Sequence, residues 1–135
     1  MKNFIALLSF ILSLFVAGSL SHGQAKQSTP HKQVWDGKKT SFHGFDQYNF
    51  PLEGIACRVV VPKKIADGKP WVWRARFFGH QPQFDIAMLK RGYHVVYCDV
   101  SGLFGNREAV NRWNQFYNYL RFEHLFSDRA ILEGM

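Results

Sequence analysis

Three short stretches of this sequence set residues with chemical capacity at the ends of apolar runs. Phe78, Gly79 and His80 end the run WVWRARFF at 71–78 and begin the segment after it. Asp99 stands near the end of YHVVYCDV at 93–100, and Gly134-Met135 follow AILE at 130–133. In open α/β sheets ligands bind outside the carboxyl ends of the strands, so groups at those ends can meet in one crevice. His80 reads as a lining residue of such a crevice or as an ordinary loop residue. Asp99 reads as a crevice group or, more often for this residue type, as a cap of the loop that follows.

Other candidates carry blander expectations. Arg74 and Arg76 share one strand face and suit either an anionic substrate group or ion pairs with Asp or Glu on a covering helix. His124 is expected to pack on an apolar helix face. Trp71, Trp73 and Trp113 are expected as core or half-buried aromatics rather than a sugar-stacking platform. The six histidines, at 22, 31, 43, 80, 94 and 124, show no metal-ligand spacing. Two cysteines cannot build a four-cysteine zinc site. No P-loop is present, and Gly102-Leu103-Phe104-Gly105 lacks the three spaced glycines of a dinucleotide fingerprint. No metal and no cofactor are expected.

These residues need elements to position them. Residues 42–50 are aromatic-rich and bounded by Pro51, which suits an edge strand. ACRVVV at 56–61 is a second strand, and Asp67-Gly68 marks the turn after it. WVWRARFF at 71–78 alternates and is a third. Pro82 opens a short helix with Ile86, Ala87 and Leu89 as its apolar stripe, and Gly92 stops it. The run at 93–100 has a near-continuous apolar middle, as buried parallel strands do. Asn106 caps a longer helix whose Ala109, Trp113, Phe116, Tyr117, Leu120 and His124 recur at steps of three and four. AILE at 130–133 is the last strand. Strands alternating with helices imply a mostly parallel sheet, while the first two strands, close in sequence, are expected antiparallel.

The ends of the chain suggest where it works. A 47% hydrophobic composition excludes a disordered tail. Residues 1–25 begin with Lys2, run apolar from Phe4 to Leu20, and close on Gly23-Gln24-Ala25. That is the pattern of a cleaved secretory signal, and an apolar run of about 17 residues is at the lower limit for a membrane span. The expected organisation is a signal peptide at 1–25, a polar flexible segment at 26–41, and an α/β domain at 42–135. The expected location is secreted or periplasmic, with no membrane association after cleavage. The net charge of +7 falls to +6 without Lys2, and its basic residues are scattered. They read as a solvated surface, so no nucleic-acid partner is expected. In an exported chain Cys57 and Cys98 are able to pair, but bridges inside a central sheet are awkward, so two buried thiols are expected. Nothing follows 130–133 to cover that strand, so the chain is expected to be an incomplete product of a larger domain.

An antiparallel pair, WVWRARFFGH, a short helix, GYHVVYCDV, a helix and AILEGM together resemble the N-terminal half of the α/β-hydrolase fold. The likeness covers about residues 45–135 and is nearest to exported bacterial esterases and prolyl-oligopeptidase-like hydrolases. It implies a serine hydrolase acting on ester or amide bonds of a small molecule or peptide. Gly134 and Met135 would then open the nucleophile elbow G-x-S-x-G, with its serine at position 136, past the last residue given. The acid and the histidine would come later still, so this chain carries no catalytic residue and is expected to be inactive alone. It would supply half of the oxyanion hole, from the loop of Phe78, Gly79 and His80, although the family's His-Gly is reversed here to Gly-His. The competing readings are a secreted carbohydrate- or ligand-binding module and a nucleotide-dependent oxidoreductase on a doubly wound sheet.

Overall fold

The computed structural model describes residues 34–134. The signal segment 1–25, residues 26–33 and Met135 lie outside the described residues. Six strands form one sheet in the order β1-β2-β3-β5-β4-β6. They are β1 (Lys38–Phe42), β2 (Phe45–Leu52), β3 (Ile55–Val61), β4 (Trp71–Arg74), β5 (His94–Cys98) and β6 (Ala130–Glu133). Two helices, α1 (Gln83–Lys90) and α2 (Arg107–Asn118), connect the last three strands, and a π-helical turn, Tyr119–Glu123, prolongs α2. The pairs β1/β2, β2/β3 and β3/β5 are antiparallel; β5/β4 and β4/β6 are parallel.

Adjacent valines show why the middle strands read as unbroken apolar runs. Side chains alternate across a sheet, so Val59 and Val96 face one core while Val60 and Val95 face another. Trp71 and Val72 divide the same way, and all six side chains are fully buried. Met88 and Leu89 of α1 cover the Val60, Val72 and Val95 face. Phe116 of α2 and Leu120 of the π turn cover the Trp71 face. From β4 the chain steps one way to β5, then back across β4 to β6. Right-handed crossovers in opposite directions put their helices on opposite faces, and the two cores are divided accordingly.

Local signals explain the helix ends. Asn106 accepts a hydrogen bond from the Ala109 N–H at 3.0 Å, capping α2 as its residue type predicts. Asn106→Ala is expected to cost about 1 kcal/mol, seen as a lower urea midpoint with unchanged slope; an unmoved midpoint would deny the cap any weight. At the end of α1, Gly92 takes φ +91°, and the Gly92 and Tyr93 N–H groups bond back to Leu89 and Met88 carbonyls.

Four expectations need correction. The domain begins before residue 42: Trp35 is buried among Phe50, Phe126 and the ring of His124, and Lys38–Phe42 is a strand. Residues 42–50 are not an edge strand. His43-Gly44 turns the chain there, both at positive φ, so β1 takes the edge and β2 lies inside. The strand from Trp71 ends at Arg74 rather than Phe78, because Phe77 at φ +51° and Gly79 at φ +85° leave the extended region. On α1 the buried positions are Asp85, Met88 and Leu89, while Ala87 is exposed. The antiparallel start, the parallel set and the bounds of β6 agree with the sequence reading, but the sheet as a whole is mixed rather than mostly parallel, since three of its five strand pairs are antiparallel.

Candidate functional site

The carboxyl ends of β4 and β6 lie side by side. Arg74 and Glu133 are register partners, and the Ala75 N–H reaches the Glu133 carbonyl at 2.9 Å. Arg74 follows Val72 by two residues, so its side chain points into the α1 face and not to solvent. There it is 2% exposed, in an otherwise apolar layer. A buried charge persists only if paired. One Arg74 nitrogen lies 3.1 Å from Asp85 Oδ2 on α1 and 2.6 Å from Glu133 Oε1. Of the two expectations for Arg74, pairing with a helix carboxylate is the one the structure supports. Arg76 does not share its face; it is exposed, with its guanidinium over the Phe77 ring.

The remaining donors of Arg74 organise the segment after β4. Its Nε bonds the Phe77 carbonyl at 3.3 Å, and another nitrogen bonds the His80 carbonyl. A trans peptide points its C=O and N–H in opposite directions. Tying the Phe77 carbonyl inward to Arg74 therefore aims the Phe78 N–H outward. The His80 N–H is taken by the Phe77 carbonyl at 2.9 Å, which, of the three candidate donors, leaves those of Phe78 and Gly79. The backbone is at positive φ at Phe77, Gly79 and Gln81 (+51°, +85° and +47°). For Phe77 and Gln81 that conformation costs on the order of 1–3 kcal/mol each, the kind of local strain that gathers at binding and catalytic loops.

One guanidinium serves two carboxylates here, and Asp85 Oδ1 and Glu133 Oε2 are buried with no hydrogen-bond partner among the described residues. Burial first, then the neighbouring Glu133, pushes the Asp85 carboxyl up to about 7, against the opposing pull of Arg74. Asp85 thus stays protonated well above the ordinary carboxylate range. Neither carboxylate was singled out from the sequence. The available signal was Arg74 itself, a charge on the buried phase of an alternating strand.

Asp99 stands apart from this cluster. Its Oδ1 accepts from the Ser101 N–H at 2.9 Å and the Tyr97 hydroxyl at 3.2 Å, and the Ser101 bonds chiefly hold its carboxyl below the usual value. It caps its own turn. Its link to the loop is indirect, through Tyr97, whose ring lies 5.7 Å from that of Phe78. His80 is exposed, and a Cβ added at Gly134 would meet no described atom within 4 Å. Met135 lies outside the described residues.

On the opposite face, Trp73, Ala75, Trp113, Tyr117 and Leu132 line a groove of about 490 Å³. Trp73 and Trp113 meet edge to face at 6.2 Å, and both indole N–H groups are buried with no partner among the described residues. His124 packs as expected, stacked 3.8 Å from Trp35, and burial pushes its pKa down to about 4. His94 is fully buried and held neutral, its pKa pushed down to about 3 by burial. Cys57 and Cys98 are buried directly opposite each other on β3 and β5 and are unbonded in this structure. Among the described residues no cluster of His, Cys, Asp and Glu fits a metal ion, and no helix is long and apolar enough to cross a membrane. Compared with known proteins, the chain matches no family model, no curated protein and no solved structure.

Proposed function

We propose that this chain is the N-terminal part of an exported serine hydrolase of the α/β-hydrolase fold, acting on ester or amide bonds of a small molecule or peptide. The supporting observation is the order and sense of five strands. In that fold the second strand runs antiparallel to its neighbours, and the third lies between the fourth and fifth. Here β2, β3, β5, β4 and β6 stand in that order, with β3 reversed. The loop after β4 then takes the place from which the fold draws one oxyanion donor. Phe78 and Gly79 carry the N–H groups for it, and Arg74 positions them by holding the Phe77 and His80 carbonyls. A donor aimed at the developing oxyanion is worth roughly 3 kcal/mol of transition-state stabilisation. The nucleophile follows Met135 in this reading, and the acid and histidine come after it.

The test is to read the coding sequence past codon 135. A serine at position 136 and a glycine at 138 are expected, and the longer product should label with a fluorophosphonate. Any other residue at 136 removes the catalytic claim. The chain to Met135 should show no ester turnover; clear turnover would refute the placement of the triad.

One observation favours a second reading, a carbohydrate- or ligand-binding module: the aromatic groove of Trp73, Trp113 and Tyr117. Saturable quenching of tryptophan fluorescence by oligosaccharides would support it, and an unchanged spectrum would count against it.

A further inference from the structure

We propose that Cys57 and Cys98 are a disulfide site: the two thiols join across β3 and β5 when the chain folds in the presence of a disulfide oxidant. The inference does not need the hydrolase reading.

The register carries it. Cys57 and Cys98 are directly opposite on antiparallel strands. Antiparallel pairs alternate between hydrogen-bonded positions and non-hydrogen-bonded ones, where the Cα atoms come closer, to about 4.5 Å instead of 5.5 Å. The Asp99 N–H donates to the Ala56 carbonyl at 2.9 Å. That bond joins the residue after Cys98 to the residue before Cys57. It makes Ala56 and Asp99 a hydrogen-bonded pair and puts the two cysteines at a non-hydrogen-bonded one. Disulfides accept Cα separations from about 4.4 Å upward, so the spacing is within reach without moving a strand. Both side chains point into the same core, beside Val59 and Val96. The sheet interior is awkward for a bridge in general, but a non-hydrogen-bonded position such as this one admits it.

Nothing competes for these sulfurs. The chain has no third cysteine, and no metal-ligating cluster surrounds them among the described residues. Each is almost fully buried, at 1% and 0% exposure. Burial pushes both thiols up to about 12. Since the thiolate is the attacking species, exchange stalls once the core is closed. The bond therefore forms as β3 and β5 come together and before α2 covers them. A thiolate of one cysteine attacks a sulfur of the oxidant, breaking its S–S bond and releasing one half as a thiolate. The second cysteine, as thiolate, attacks the protein-side sulfur of that mixed disulfide and releases the other half. Two protein thiols lose two protons and two electrons, and the oxidant is reduced to two thiols. The bridge ties the antiparallel strands to the parallel ones.

The test refolds the full chain with and without a reduced/oxidised glutathione mixture. Free thiols are then counted in acid-quenched denaturant and tryptic peptides are mapped. Without oxidant, two thiols should react. With it, none should, and peptide 40–58 should be found bonded to peptide 92–107, which contain Cys57 and Cys98. The oxidised form should melt higher, by on the order of 10 °C, because the bridge closes a long loop in the unfolded chain. Two free thiols after oxidative refolding, a glutathione adduct on either cysteine, or a chain-to-chain crosslink would each overturn the proposal. The peptide map needs no substituted variant, so a cysteine variant that fails to fold leaves the answer unaffected.

Discussion

Arg74→Ala is expected to lose about 3–5 kcal/mol of folding stability at neutral pH, the usual result of removing one member of a buried ion pair. The loss comes from what remains rather than from what is removed. Asp85 and Glu133 would be left facing each other without the guanidinium that holds both, with a proton on Asp85 as their only remaining link. Guanidinium chloride unfolding measures it, and a loss under about 1 kcal/mol would mean that water enters and replaces the guanidinium. Amides 77–81 should also exchange faster with solvent, because their carbonyls lose the Arg74 tether. The effect should depend on pH in a stated direction. The Asp85 carboxyl is raised from 3.8 to about 7, first by burial and then by Glu133. A carboxyl with a raised folded-state pKa holds its proton more tightly in the folded chain. Its contribution to stability is complete below the unfolded value and is lost as pH rises through about 7. The wild-type chain should therefore lose stability between pH 4 and pH 8 relative to Asp85→Asn, which cannot titrate there. The difference should exceed about 1.4 kcal/mol, the value of one pKa unit. Parallel pH curves for the two proteins would refute the assignment.

Trp71→Ala should be comparably severe, at about 3–5 kcal/mol, as for other large aromatics removed from a core. Trp71 is fully buried at the start of β4, among Trp73, Tyr117 and Phe126. Its indole N–H also donates to the Ser127 carbonyl at 2.8 Å, so it binds the approach to β6 as well as filling space. Trp71→Phe separates the two roles. It keeps most of the packing and leaves the Ser127 carbonyl without its donor, for a loss of about 1–3 kcal/mol. Denaturant midpoints for both variants test this, and equal losses would show that the hydrogen bond, not the volume, dominates. Domains of this size have roughly 5–15 kcal/mol in hand, so either alanine variant removes a large share.

What was legible in the sequence was local. The bounds of β6 at 130–133, the Asn106 cap and the α2 face through Ala109 and Phe116 all follow from residues within a few positions of one another. The parallel set followed from alternation of strands and helices. The early hairpin was missed because β1 is a polar strand: of Lys38–Phe42 only Phe42 is buried, so no apolar pattern marks it. Its place is set by pairing with β2, not by its own composition. Trp35 was missed because it lies in a polar stretch and is buried by partners far along the chain, among them His124 and Phe126. The candidate site was half legible. The loop at Phe78-Gly79-His80 is marked by the Gly79 that breaks the apolar run, although the strand itself ends earlier, at Arg74. The Arg74 cluster does not, because Glu133 is 59 residues away and only the sheet order brings it near.

That same order decides when each strand can be sheltered during synthesis. Among the described residues, β4 alone has two neighbours that are both made after it. The meander β1-β2-β3 can close while still emerging from the ribosome, but Trp71, Val72 and Trp73 must wait for β5 and then β6. At about 5–20 residues per second, the 59-residue lag between Arg74 and Glu133 leaves the nascent β4 incompletely enclosed for roughly 3–12 s. Wherever the chain folds as it emerges, slower elongation over that interval lengthens the exposure of Trp71, Val72 and Trp73.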